Sequence, residues 1–162
     1  MKQSLWRQIG ASIDMLENAI RACPDDLWGD GEREPQCWYL VYHTLFWLDY
    51  YSSASGEGFA PPEPFTLSEM DPAGVLPERV YTRDEMLDYL DYGRNKTREA
   101  IGLLDEDKAA GAASPVRPDV GVTEIFLYNM RHVQHAAAQL NLVLRGETKS
   151  APRWVIKADD WR

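Results

Sequence analysis

Three histidines, His43, His132 and His135, are all this 162-residue chain contains, and their spacing is where its chemistry would lie. His43 sits in the aromatic run WYLVYHTLFWLDYY, while His132 and His135 lie three residues apart in YNMRHVQHAAAQLNLVLR. If the two segments pack together, three neutral imidazoles converge and leave a fourth position open for water or substrate. Borderline divalent cations are commonly held this way in catalytic sites.

Helical geometry tests the idea. At about 100 degrees per residue, Gln36, Tyr39, Trp47 and Tyr50 fall within roughly 40 degrees of His43, so the imidazole sits in the middle of an aromatic face and is expected to be buried. On the later segment, with the stripe through Val133, Ala137 and Leu140 as zero, His132 lies about 100 degrees to one side and His135 about 160 degrees, with Gln139 between them. An i, i+3 pair on one flank can chelate. The competing reading is a core histidine at 43, bonded to a carbonyl or a tyrosine, and two half-exposed surface histidines at 132 and 135.

Other chemistry is excluded more firmly. Cys37 precedes His43 by six residues, about 120 degrees around the helix, which rules out a thiolate-imidazole dyad within that element. No GxSxG, P-loop, GxGxxG or HExxH pattern occurs. Cys23 and Cys37, two cysteines without a signal peptide, are expected to be reduced thiols.

The elements that must position the histidines are helices. Leu5, Ile9, Ile13, Leu16 and Ile20 form one apolar stripe, so a helix is predicted over about 3–22, stopped by Pro24. A second is predicted over about 35–54, with Pro35 in its first turn, apolar on nearly every side and therefore facing both a core and a second buried surface. Residues 55–81 hold five of the ten prolines and show no period, so they read as an ordered, irregular connection. Thr82 and Glu85 match a capping box for a third helix over about 83–105, and a fourth is predicted over about 122–145, ended by Gly146. The expected fold class is all-α, an antiparallel four-helix bundle with a long crossover between helices 2 and 3. It forms a single domain over 1–162, with the tail 146–162 docked on it.

Composition bounds the partners. With 17 basic and 26 acidic residues the net charge is -9, and the basic residues are scattered, which argues against a nucleic-acid backbone or an anionic membrane surface. The amino-terminal segment has no signal-peptide core, so a cytoplasmic location is the expectation. The all-round apolar second helix predicts a homodimer.

The segment WYLVYHTLFWLDYY, the connection GFAPPEPFTLSEMDPAGVLPERVYT and YNMRHVQHAAAQLNLVLR together resemble the DinB-like superfamily over nearly the whole chain. The resemblance implies a bundle, often dimeric, in which one histidine of helix 2 and two of helix 4 bind a divalent metal; His43 and His132 match two of these positions. The family usually reads HxxxH on helix 4, and here the third position is Ala136. Two outcomes follow: a shifted site of His43, His132 and His135, completed by Gln139 or water, or a vestigial pocket with two ligands. The resemblance further implies a metal-dependent thiol S-transferase or hydrolase using Zn or Ni and a low-molecular-weight thiol. The alternative is a non-catalytic small-molecule-binding or dimeric interaction protein. DNA-damage repair is suggested only by the family name, and the charge balance argues against it.

Overall fold

A computed structural model describes residues 1–109 and 111–159. Among these the chain is helical and has no strand, only an isolated bridge between Ala113 and Gly121. The expected all-α class is what the chain adopts. Four long helices dominate: α1 (Lys2–Ala22), α2 (Cys37–Tyr51), α3 (Arg83–Leu103) and α4 (Val122–Thr148). Single turns at Asp25–Trp28, Ser68–Met70 and Glu106–Ala109 punctuate the links.

Each long helix forms where its pattern places it, and the ends show which local signals count. α1 buries Leu5, Ile9, Ile13, Leu16 and Ile20, its whole apolar stripe, and stops at Cys23 in front of Pro24. α3 opens with a complete capping box: Thr82 N–H donates to Glu85 Oε2 at 2.7 Å and Glu85 N–H to Thr82 Oγ1 at 3.2 Å. α2 is shorter than expected. Pro35 lies outside it, and Gln36 is extended at the N-cap, its side-chain oxygen accepting from Trp38 Nε1. At the far end Ser53 Oγ turns back to Asp49 O at 3.0 Å, the usual way a short hydroxyl side chain competes with helix continuation. α4 is longer than expected: Gly146 stays helical, and the chain leaves only at Lys149, whose φ of 60° supplies the left-handed cap.

α1 and α2 each pack against both α3 and α4. The core between them includes Ile9, Ile13, Leu16, Val41, Leu45, Leu48, Leu90, Ile101, Val133, Ala137 and Leu140. α3 comes close to α2 because Gly93 has no side chain; a Cβ there would lie 3.1 Å from Leu48 Cδ2. Beside that contact the fully buried carboxylate of Asp49 is answered by Lys96 Nζ and by the Tyr89 hydroxyl at 3.1 Å.

The all-round apolar character of α2 has an intramolecular explanation. The connection 52–82 folds over its outer face: Phe65 stacks on Tyr42 and Tyr89, Phe59 meets Phe46 and Tyr50, and the Tyr42 hydroxyl donates to Thr66 O at 2.7 Å. Cys23 and Cys37 are buried and unbridged, and the Cys23 thiol donates to Pro24 O at 3.7 Å. The neighbouring Cys23 thiol, and after it the charge of Arg33, lower the pKa of Cys37, while burial opposes the shift.

Residues 150–158 run back along α1. Gln8 Nε2 donates to Ile156 O at 3.2 Å, Ala158 N–H donates to Arg7 O at 2.9 Å, and Ala158 is buried over Gly10. Trp161, the second tryptophan of the tail, lies outside the described residues. A Cβ on Gly10 would stand 2.6 Å from Ala158 Cβ, a clash that neither short side chain can relieve. Gly10→Ala is therefore expected to lift the tail without unfolding the helices. Limited trypsin digestion should cut after Arg153 and Lys157 several-fold faster with the far-UV dichroism unchanged; equal cutting rates would show that the tail is not held there.

Candidate functional site

The imidazole-bearing faces of α2 and α4 meet. The rings of His43 and His132 lie 5.1 Å apart between centroids, nearly perpendicular at 76°. His43 is flanked one helical turn away on either side by Tyr39 and Trp47, each with its ring centroid 6.4 Å from the imidazole. The aromatic face inferred from spacing is there, but His43 is not buried in it: the side chain is 37% exposed.

A third group completes the arrangement, and it comes from the connection. The short turn Ser68–Met70 carries Glu69, whose Oε2 lies 2.6 Å from His43 Nδ1 and accepts from Trp47 Nε1 at 3.2 Å. The Tyr39 hydroxyl is also bonded to this carboxylate. Only 5% of the Glu69 side chain is exposed. Burial alone would favour its neutral form, but the hydrogen bond and charge of His43, with the Tyr39 and Trp47 donors, outweigh that and hold its pKa below the ordinary glutamate value. The reciprocal effect raises Tyr39, through burial first and the neighbouring carboxylate second.

Because Nδ1 of His43 gives its proton to Glu69, the lone pair of the neutral ring is at Nε2, the atom left to act as base or ligand. His132 is the opposite kind of group. Its Nδ1 is shut off from solvent and has no hydrogen-bond partner among the described residues. Burial, then the charges of His43 and His135, push its pKa down to about 4, so it is a neutral imidazole at physiological pH.

His135 stands apart. It is exposed, and its Nε2 lies 3.0 Å from the Gln139 amide nitrogen, which donates to it. Gln139 therefore occupies His135 rather than joining the other two rings. Ala136, the position at which the resemblance expects a ligand, is 2% exposed and points into the packed interior. Among the described residues no three His, Cys, Asp or Glu side chains are grouped closely enough to hold an ion. The imidazoles that approach one another are those of His43 and His132, and they are the side chains here that could hold a borderline divalent cation.

Glu69 escapes sequence reasoning because it lies 26 residues from His43 in a segment with no period. The one available cue is an acidic residue inside the otherwise uncharged stretch from Pro64 to Met70. No protein-family model matches the chain, and neither curated proteins nor solved structures show a significant similarity to it.

The depressed His132 pKa has a stability consequence with a defined sign. The unfolded chain takes up a proton near 6.5 while the folded one resists until about 4, so the metal-free protein should be fully stabilised above pH 6.5 and lose stability as the pH falls towards 4. Allowing for partial solvation, the loss is on the order of 2 kcal/mol. Urea unfolding between pH 7 and pH 4.5 measures it: His132→Phe should flatten the slope, and an unchanged slope would mean the imidazole is not desolvated.

Proposed function

We propose that the chain is an antiparallel four-helix bundle of the DinB-like kind, with residues 52–82 as its crossover, that binds a divalent transition metal between α2 and α4. Its activity in this reading is metal-dependent thiol S-transfer or hydrolysis on a small molecule. The observation that carries the reading is the approach of His43 and His132 from separate helices, one imidazole oriented by Glu69 and the other stripped of hydrogen-bond partners. In this reading His43, His132 and His135 are the ligands, with His135 joining the other two by leaving Gln139.

A bound Zn or Ni ion would lower the pKa of a coordinated low-molecular-weight thiol or of water, supplying a nucleophile at neutral pH. The chain's own residues do the rest. Glu69 fixes the His43 ring and its tautomer, His132 stays unprotonated at physiological pH through desolvation, and the Tyr39 and Trp47 rings keep bulk water from one side of the site.

A second reading is favoured by one specific observation. Ala136 fills the position of the third ligand and His135 is tied to Gln139, which suits a non-catalytic small-molecule binder with a degenerate metal site. Metal analysis of tag-free protein separates the two. The enzyme reading expects near-stoichiometric Zn or Ni that His43→Ala abolishes, with Ala136→His changing affinity less than about threefold. Two-ligand binding instead gives weak loading that Ala136→His strengthens by about 10-fold or more. No metal in either protein would overturn both.

We retain cytoplasmic location, the absence of nucleic-acid and membrane partners, and a homodimer as parts of the proposal. No helix of the described residues is long and apolar enough to cross a membrane. The dimer no longer draws support from α2, whose outer face the connection covers; the most exposed large apolar side chains among the described residues are instead Leu103, Leu142 and Ile156. Sedimentation at micromolar concentration should give a dimer, and a monomer there would remove it from the proposal.

A further inference from the structure

A groove of about 690 Å³ runs along the outside of α4, between that helix, the first half of α1 and the returning tail. Its size is in the range that takes small organic ligands. His132 and His135 both line it, so it meets the imidazole site at His132.

The lining has a consistent chemistry. Arg131 is exposed there and makes no ion pair among the described residues. Gln8 and Gln134 add amide groups from facing helices. Among the described residues no aspartate or glutamate lines the groove, although the chain carries 26 acidic residues against 17 basic ones. In a protein of net charge -9, a concave site with a cation and no carboxylate among its described lining favours an anion over a cation. The rest of the lining includes apolar groups: Trp154, 67% exposed, and Val155 come from the tail, and Met130 from α4. A large indole left open to solvent beside a groove offers a face on which a flat ligand can stack.

We infer that this groove binds a small organic anion, a carboxylate or similar monoanion on a flat apolar body, with Arg131 holding the charge and Trp154 covering the body. The inference extends the functional reading by naming the substrate class, and rests on it only in taking the groove as the approach to His132. The tail is part of the site, because Ala158 seated over Gly10 and Gln8 bonded to Ile156 O hold Trp154 and Val155 in position.

The probes are 2-naphthoate and its neutral isostere 2-naphthamide, titrated calorimetrically into the full chain and into Arg131→Gln, Trp154→Ala and His43→Ala. Naphthoate should bind roughly tenfold more tightly than the amide, the margin a charge-assisted hydrogen bond at a partly exposed site supplies. Arg131→Gln should erase that margin and leave amide binding unchanged. Trp154→Ala should weaken both probes, and His43→Ala should affect neither while abolishing metal binding. Equal affinities in the unaltered chain, a preference that survives Arg131→Gln, or no detectable binding of either probe would overturn the inference. Because metal content is measured on the same proteins, failure of the groove and failure of the metal reading are told apart.

Discussion

A carboxylate placed where water cannot reach it is tolerable only if donors surround it, and the site is organised by that requirement at Glu69. His43, Trp47 and Tyr39 all bond to it, and all three lie on one face of α2, one helical turn apart. The bonds act in both directions. They keep Glu69 ionised despite its burial, and they fasten the middle of an irregular connection to the helix that carries His43. Removing any one donor would leave the remaining charge under-solvated, so the three act as a unit rather than as separate contacts.

From that anchoring follows the asymmetry of the two imidazoles. His43 is half-exposed, oriented by a charge and left with a free Nε2; His132 is desolvated, neutral and unbonded at Nδ1. Two imidazoles are thus given different surroundings, one bonded to a carboxylate and the other without a partner at Nδ1. The environment of a site, more than its residue composition, sets such assignments. His135, only three residues from His132, is removed from this pairing by a glutamine one turn further along α4.

The long connection does more than join α2 to α3. It carries Phe59 and Phe65 onto the outer aromatics of α2, which explains a helix that is apolar on nearly every side without recourse to a partner chain. It also delivers Glu69. The tail plays a parallel part on the other side of the molecule, where it forms one wall of the groove beside α4. Both irregular segments are ordered by packing on helices, and both contribute to functional surfaces, as loops on a rigid scaffold commonly do.

The helices, their apolar stripes, the capping box at Thr82 and Glu85 and the aromatic face around His43 were all legible in the sequence, because each depends on residues within one or two turns of each other. The boundaries at Pro35 and Gly146 were not, since Gln36 and Lys149 took the capping roles through local geometry that composition does not reveal. The inward turn of Ala136 and the outward turn of His135 could be computed from helical angles alone. The partnership of Glu69 with His43, the exposure of His43 and the closeness of His43 to His132 needed the tertiary structure. Those contacts join residues 26 and 89 positions apart, and no periodicity within a segment encodes which distant groups its faces will meet.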